Sequence, residues 1–285
     1  MGDWKMELTG RVLVLVAHAD DESVGYGGLL QKMREAVVVI ATDGAPRDEY
    51  FWGRYGSREK YAAVRREEAR RAMRVAGVRE LVLLAEEDGR LEGRRFEDQR
   101  LFLNLATAYG LLQKLAERVR PEAIATLAYE GGHPDHDSCS LLGARLGAQL
   151  RVPVWEAPLY NRAGGESELR LQEFLCENGT EARVEMTAEE LERKRAMCAQ
   201  YASQGALLRD VDSKSVDSKS VNLRSGELPG FDAGREVVRP QVKYDYGRPP
   251  HEGRTNYECW QWWMSAREVS ARFAECSAES VESGR

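Results

Sequence analysis

The stretch from Arg11 to Gly28 constrains the fold of this 285-residue chain more than any other part of it. Five consecutive aliphatic residues, Val12 to Val16, show no polar alternation, which predicts a strand buried on both faces of a parallel sheet. One imidazole and three carboxylates follow at once, on His18, Asp20, Asp21 and Glu22. Because ligands bind at the carboxyl ends of strands in open α/β sheets, the stretch predicts an α/β fold with a charged site at one strand end.

Apolar runs and helical patterns alternate through the first 160 residues. Strands are predicted at 11–17, 36–41, 80–84, 122–128 and 152–155. Helices are predicted between them, over about 58–76 before Gly77 and over 98–119 before Pro121, where apolar residues recur every three or four positions. This alternation predicts an α/β, Rossmann-like, mostly parallel sheet with helices on both faces.

The pattern changes after residue 160, which predicts two regions within one domain. Residues 1–160 form the catalytic core, and residues 161–285 form an α+β and loop region that shapes the substrate pocket. The second region is predicted to hold four features: a β-hairpin from 167–174 and 181–186, a helix that begins at Thr187 in a capping box with Glu190, a surface loop over 205–255 with a lid as the alternative, and a last helix that opens at 257–263.

Composition excludes several classes of protein. The net charge is −6, and the arginines stand among acidic residues, which favours mixed-sign helix surfaces over nucleic-acid binding. No apolar run reaches the ~20 residues that a membrane span needs. The first residues carry no secretion pattern, and the five scattered cysteines contain no C-x-x-C pair. We therefore expect a cytoplasmic protein with no nucleic-acid partner and no membrane span.

A second polar cluster, Gly131 to Asp137, follows the apolar run 123–128. Three of the four histidines, His18, His133 and His136, thus lie in two loops that each follow a predicted strand. Imidazole nitrogen and carboxylate oxygen suit zinc, and a catalytic zinc ion typically has three protein ligands and one open position. His18, Asp21 and His136 would supply those ligands.

Two further residues of the clusters suit proton transfer. Asp20 could take a proton from water, and His133 could stabilise or protonate the departing group. A hydrogen-bonded structural cluster without a metal is the first alternative, although buried carboxylates without a cation are costly. A nucleotide site is the second, although the loop contains neither G-x-G-x-x-G nor a P-loop.

The same residues resemble the signatures of a known family. Ala17-His18-Ala19-Asp20-Asp21-Glu22 is similar to the A-H-P-D-D-E signature of the zinc-dependent N-acetylglucosaminyl deacetylases, called the PIG-L or LmbE-like family, and His133-Pro134-Asp135-His136 is similar to their H-P-D-H. Weaker matches are Thr42-Asp43-Gly44, Arg65-x-x-Glu68, Asp88-Gly89-x-Leu91, and Lys194 with Ser203-Gln204. The resemblance covers roughly residues 10–205, and Ala19 stands where the family has proline.

The resemblance implies a role for each matched residue. His18, Asp21 and His136 would be ligands of Zn²⁺, with another divalent metal such as Fe²⁺ as the alternative. Asp20 would be the general base, His133 would stabilise the tetrahedral intermediate or protonate the amine, and Asp135 would orient His133. Arg65 and Asp88 match positions that hold sugar hydroxyls; a surface ion pair of Arg65 with Glu68 and an ordinary turn at Asp88 are the alternatives.

The expected function is therefore a metal-dependent hydrolase that removes the N-acetyl group from an N-acetylglucosamine-containing glycoside, thiol-sugar precursor or glycoconjugate. The alternatives are an amidase acting on a thiol-sugar conjugate and a non-catalytic sugar binder. We expect an amino-sugar as the partner, with a homo-oligomer as an open alternative. Aromatic residues crowd the C-terminal part, and we interpret them as core packing of the last helix, with a wall for a sugar ring or an aryl aglycone as the alternative: Tyr244, Tyr246, Tyr257, Trp260, Trp262 and Trp263.

Overall fold

A seven-stranded sheet forms the centre of the described part of the molecule, which in this computed structural model comprises residues 4–87, 96–162, 168–205 and 230–282. The strands are β1 Arg11–Val16, β2 Glu35–Ile40, β3 Glu80–Leu83, β4 Ala123–Leu127, β5 Val154–Ala157, β6 Tyr160–Asn161, β7 Arg170–Leu171, β8 Ala182–Arg183 and β9 Val237–Pro240. The sheet order is β3-β2-β1-β4-β5-β9-β8. The first five strands are parallel, whereas β9 is antiparallel to both β5 and β8.

The helices form two packed groups. They are α1 Trp4–Glu7, α2 Asp21–Leu30, α3 Glu49–Trp52, α4 Arg58–Ala76, α5 Leu84–Glu87, α6 Leu105–Val119, α7 Pro134–Leu150, α8 Ala188–Cys198, α9 Asn256–Cys259 and α10 Ala266–Glu282. Helices α2, α4 and α8 contact one another, while α7 contacts α6 and α10. The predicted α/β fold with a mostly parallel sheet is confirmed. Among the described residues, no helix combines the length and apolarity that crossing a bilayer requires.

The apolar run that opens the chain forms the central strand of the sheet. Val12 to Val16 are all 0% exposed, and β1 lies between β2 and β4 with Val14 in register with Val38 and Ala125. Full burial of one such side chain contributes about 1.5–3 kcal/mol. The run therefore lies at the centre of the core, and the following loop begins at its carboxyl end.

Capping residues in the sequence correctly predict both ends of helix α4 and the start of helix α8. Helix α4 occupies the predicted span: Ser57 accepts a hydrogen bond from the Lys60 N–H, and Gly77 takes a φ of 77° at the C-cap. Helix α8 begins after Thr187, whose side chain forms the predicted capping box with Glu190. Local chemistry alone fixes these boundaries.

The helix predicted over 98–119 begins only at Leu105. The preceding segment is held instead by the Asp135 carboxylate, which accepts hydrogen bonds from the backbone N–H groups of Gln99 and Leu101. Gln99 has a φ of 66°, which a helix does not allow. A tertiary contact therefore overrides the apolar periodicity at this end.

The predicted hairpin between 167–174 and 181–186 is wrong in its pairing. Arg170–Leu171 pairs with Tyr160–Asn161 as a small antiparallel unit, and Ala182–Arg183 pairs with β9 at the edge of the main sheet. The prediction of one helix opening at 257–263 is also wrong, because α9 ends at Cys259 and α10 starts at Ala266, with Gln261 at a φ of 58° between them.

The C-terminal region adds β8 and β9 to the sheet of the first 160 residues, although the division of the domain at residue 160 stays a prediction. Asp88 and residues 206–229 of the predicted loop over 205–255 lie outside the described residues, and the described remainder of that loop contains β9.

Candidate metal centre

The two polar loops meet at the carboxyl ends of β1 and β4, which are neighbours in the sheet. The chain reverses its strand order between these strands, and such a switch point is the usual ligand crevice of an open α/β sheet. His18 follows β1, and His136 lies in the first turn of α7 after β4. The fold thereby brings His18 Nδ1 to 3.3 Å from His136 Nε2, across 118 residues of sequence.

Three side chains converge on one point. His136 Nε2 is 3.3 Å from Asp21 Oδ1, and His18 Nδ1 is 3.5 Å from Asp21 Oδ2. Tetrahedral ligands with metal bonds of 2.0–2.1 Å stand about 3.3 Å apart, so these spacings suit one divalent ion. His18 also belongs to two wider groups of buried ligand atoms within 4.8 Å, one with His133 and His136, the other with Asp98, His133 and Asp135. The described residues thus provide a buried site for a divalent metal.

The charges of the cluster also suit a cation. Burial lowers the pKa of His18, but the carboxylates of Asp98, Asp135 and Asp21 outweigh it and hold that pKa well above its usual value. Burial raises the pKa of Asp21, but His136 and His18 outweigh it and hold that pKa well below its usual value. The carboxylates therefore favour a positive charge between these rings, which a divalent ion would supply.

Backbone and helix geometry fix the ligands. Asp21 Oδ2 accepts hydrogen bonds from the N–H groups of Ala17 and His18, at 3.2 and 2.8 Å, so the carboxylate folds back over its own loop. On the far side of His18, Nε2 lies 3.3 Å from Asp135 Oδ2. A carboxylate on the second nitrogen of a ligating histidine orients the ring toward the metal.

The sequence predicted that the Asp135 carboxylate orients His133, whereas in the structure it lies closer to His18. Asp135 Oδ2 is 3.8 Å from His133 Nδ1. The backbone N–H of Asp135 donates to His133 Nδ1 at 3.1 Å, because His133 is the N-cap of α7. A neutral His133 ring therefore carries its proton on Nε2.

Asp98 is a site residue that sequence reasoning missed. Its Oδ1 lies 3.3 Å from His133 Nε2 and 3.6 Å from His18 Nε2. Burial raises the pKa of Asp98, but His18 and His133 outweigh it and lower that pKa to about 2. Burial and the charge of His18 lower the pKa of His133. Asp98 fell inside a predicted helix, and its only signal was a pair of acidic residues, Glu97-Asp98, ahead of the apolar stripe.

Asp20 stands beside the ligands in a strained conformation. Its φ is 138°, a value that L-residues rarely adopt, and its N–H donates to Glu22 Oε2 at 3.0 Å. Burial raises the pKa of Asp20 to about 7, although Arg65 opposes that rise. Strain that tertiary contacts maintain is typical of functional positions.

Arg65 is buried against the first loop rather than exposed on α4. It is 4% exposed, and its Nη2 donates to Ala19 O at 2.8 Å and to Asp20 Oδ2 at 3.4 Å. The alternative of a surface ion pair between Arg65 and Glu68 is wrong, since Glu68 is 1% exposed and accepts a hydrogen bond from the Ser203 N–H at 2.8 Å. The predicted sugar contact of Arg65 stays a prediction.

A cavity of about 940 Å³ opens onto the cluster. The three histidines and Asp20, Asp21, Asp98 and Arg65 line its base. Tyr160, Trp260 and Trp262 are half-buried and line it as well. Our interpretation of the C-terminal aromatic residues as core packing is therefore wrong for Trp260 and the 53%-exposed Trp263. It is confirmed for Tyr257, which is buried in the core, and for Tyr244, Tyr246 and Trp262, which pack against the core, although Trp262 lines the cavity as well.

Comparison with known sequences finds matches over the part of the chain that contains the two polar loops. Residues 13–146 match the family model described as PIG-L, GlcNAc-PI de-N-acetylase. The "Probable N-acetyl-alpha-D-glucosaminyl L-malate deacetylase 2" of Bacillus subtilis (strain 168) is 30% identical over 135 residues, which are 45% of this chain and 56% of that protein. The Bacillus cereus protein of the same name is 28% identical over 153 residues, 52% of this chain and 64% of that protein. The chain thus spans less than two thirds of the length of these relatives.

Solved structures share the fold. The zinc inhibited form of teicoplanin deacetylase Orf2 aligns with a TM-score of 0.58 at 17% identity, over 82% of this chain and 99% of that chain. The A40926 pseudoaglycone deacetylase Dbv21 aligns with a TM-score of 0.55 at 18% identity, over 82% of this chain and 98% of that chain. These structures show the shared fold, and the family match, which contains both polar loops, confirms the resemblance of residues 13–146 to the PIG-L (LmbE-like) family.

Proposed function

We propose that this chain is a metal-dependent N-deacetylase that hydrolyses the acetamide of an N-acetylglucosamine-containing substrate. One observation carries the proposal: His18 Nδ1, Asp21 and His136 Nε2 converge within 3.3–3.5 Å at the base of the cavity, and Asp20, which lines the same base, is not one of them. Three ligands and a separate carboxylate are what hydrolysis by a catalytic metal needs.

A bound divalent ion would supply Lewis-acid polarisation of the acetyl carbonyl and would make a water molecule more acidic. Asp20 accepts the proton of that water as the general base. Arg65 holds the Asp20 carboxylate in place through its Nη2. His133 carries its proton on Nε2, because Nδ1 accepts the Asp135 N–H, and so can donate to the tetrahedral intermediate or to the departing amine.

The comparisons support the class of substrate. The matching family is described as GlcNAc-PI de-N-acetylase, and the two Bacillus relatives are named N-acetyl-α-D-glucosaminyl L-malate deacetylases. We propose Zn²⁺ as the metal, with Fe²⁺ as the alternative, because two imidazoles and one carboxylate suit both ions. We also propose a cytoplasmic location, on the sequence features given above.

The test is acetate release from purified protein. The protein is stripped with a chelator, reloaded with Zn²⁺ or Fe²⁺, and given a panel of N-acetylglucosaminides. We expect acetate only from the reloaded protein, and we expect His136→Ala to lose both the metal and the activity. An acid other than acetate from a thiol-sugar conjugate would favour the amidase. Metal-loaded protein that released no acid from any member of the panel would contradict the proposal.

A further inference from the structure

Three half-buried aromatic side chains form one wall of the cavity, here called the aromatic wall: Tyr160, Trp260 and Trp262. The Trp262 ring stands edge-on to His133, with ring centroids 4.8 Å apart, and the Tyr160 ring stands edge-on to His136 at 5.3 Å. Trp260 lies between them, 5.3 Å from Trp262 and 6.1 Å from Tyr160. The wall is therefore continuous with the catalytic imidazoles.

The backbone behind the wall is firmly anchored. Thr255 and Glu258 cap α9 with a capping box, and the Trp260 N–H donates to Asn256 O at 2.9 Å. Asn256 is 0% exposed, and it binds the loop that carries His133 through Gly131 O at 2.8 Å and Gly132 O at 3.2 Å. The wall and the catalytic loop thus form one rigid unit, which can hold a ligand at a fixed distance from the reacting amide.

The cavity is larger than one sugar ring requires. Cavities of about 300–1,000 Å³ enclose drug-sized molecules, and this one, at about 940 Å³, lies at the upper end of that range. A single N-acetylglucosamine ring over the metal cluster would fill only part of this volume, so space along the aromatic wall remains for the aglycone. Half-buried indole rings beside a catalytic centre are costly to leave in contact with water, so the wall is expected to contact substrate.

The charges near the wall argue against an acidic aglycone. The segment Cys259-Trp260-Gln261-Trp262-Trp263 contains no acidic or basic side chain. The Arg100 guanidinium lies over the outer Trp263 ring at 4.9 Å and is 3.7 Å from the Glu97 carboxylate, which already offsets its charge. The aromatic wall itself therefore offers stacking surface and no cation; among the described residues, the guanidinium groups that line the cavity elsewhere are those of Arg47, paired with Glu97 at 2.9 Å, and Arg65, paired with Asp20 at 3.4 Å.

We infer that the cavity selects N-acetylglucosaminides whose aglycone is a planar aromatic group, which stacks on Trp260 and Trp262. This inference rests on the proposed function, since it names the aglycone that the same site accepts. Aromatic pairs prefer offset or edge-on arrangements with centroids 4.5–7 Å apart, and Trp260 and Trp262 both line the cavity and are only half-buried, so an aryl group could pair with them there.

The experiment compares kcat/KM for N-acetylglucosaminides with three aglycones: 4-nitrophenyl and methyl, each tested as both anomers, and L-malate. We expect the preferred 4-nitrophenyl anomer to exceed both other substrates by at least tenfold. Trp262→Leu and Trp260→Leu should reduce this preference several-fold, mainly through KM, and Trp262→Phe should keep most of it. The control is Trp4→Leu, which removes a buried indole that precedes β1 and should leave the preference unchanged.

A second readout does not depend on turnover. Metal-free wild-type protein is titrated with 4-nitrophenyl N-acetylglucosaminide by calorimetry, and we expect Trp262→Leu to weaken binding about tenfold while Trp4→Leu does not. If the metal-loaded protein releases no acetate from any of these glycosides while Trp262→Leu weakens binding in the titration, the inference stands and the proposed function falls. Equal kcat/KM for the three aglycones, or a preference that survives both leucine variants, would overturn the inference and leave the proposed function intact.

Discussion

Asp20 is the residue on which the proposed chemistry depends most directly. It lies next to the proposed ligand Asp21, but Arg65 binds its carboxylate and its own φ is 138°, which keep it apart from the proposed ligand set. Asp20→Asn keeps the shape of the side chain and removes its ability to accept a proton. We expect turnover to fall by roughly 10²–10⁴-fold, the range for general base catalysis, while metal content stays near one ion per chain.

Acetate release and metal analysis on the same preparation check this prediction. Asp245→Asn is the matched control, because Asp245 is exposed in a loop where its Oδ1 accepts the Gly247 N–H, a role that asparagine keeps. Near-normal turnover in Asp20→Asn would assign the base to another group.

Asp98 shows how a residue can be important without any sequence signature. Its Oδ1 has no hydrogen-bond partner within the described residues, although it faces His133 Nε2 at 3.3 Å. We expect Asp98→Ala to retain the metal, because the three proposed ligands are unchanged, and to lower kcat/KM roughly 10–100-fold by removing the carboxylate that faces His133 Nε2. Steady-state kinetics beside metal analysis test this, and loss of the metal in the variant would instead make Asp98 a ligand.

At the scale of elements, a buried ion pair locks α2, the helix that begins with Asp21. Glu236 accepts hydrogen bonds from the N–H groups of Gly28 and Leu29, both at 2.7 Å, and from Lys194 Nζ at 2.7 Å. A Cβ at Gly27 would lie 2.8 Å from Lys194 Cγ, so the glycines after the first signature give α8 its close approach.

Removal of one partner from this ion pair should lower the free energy of unfolding far more than removal of both partners. Lys194→Met leaves a carboxylate at 0% exposure without its cation, and we expect a loss of about 3–5 kcal/mol in the free energy of unfolding. The double variant with Glu236→Gln should lose less than Lys194→Met alone. Urea denaturation of the single and double variants measures the coupling, and simple additivity would show that the two charges do not support each other.

The elements also show what the sequence can and cannot predict. The long strands and α4 follow from local patterns. An aliphatic run such as Val12–Val16 predicts a buried strand by its composition alone, and Ser57 and Gly77 mark the two ends of α4. The two-residue strands β7 and β8 are too short to carry such a local pattern. Tertiary context decides that β7 pairs with β6 and that β8 pairs with β9. The late start of α6 and the position of Asp98 have the same cause, because both depend on the distant carboxylate of Asp135.

At the scale of the whole molecule, the metal centre is a product of sheet topology. The signatures predicted which residues take part, since each loop carries its histidines and carboxylates within a few positions. The contacts across the loops could not be predicted in the same way. Only the adjacency of β1 and β4 brings His18 to His136, and only their surroundings decide that Asp135 lies nearer to His18 than to His133.

Because the site exists only in the folded sheet, metal binding should stabilise the whole chain. An ion that binds the native state alone adds about 2.7 kcal/mol at 100 times its Kd. For a chain of 285 residues, that corresponds to a rise in Tm of roughly 4–5 °C. We expect this rise when Zn²⁺ is added to chelator-stripped wild-type protein in differential scanning calorimetry, and no rise for His136→Ala, which lacks one of the three ligands. An equal rise in both proteins would place the ion elsewhere, because a ligand from β4's loop would then be dispensable for binding.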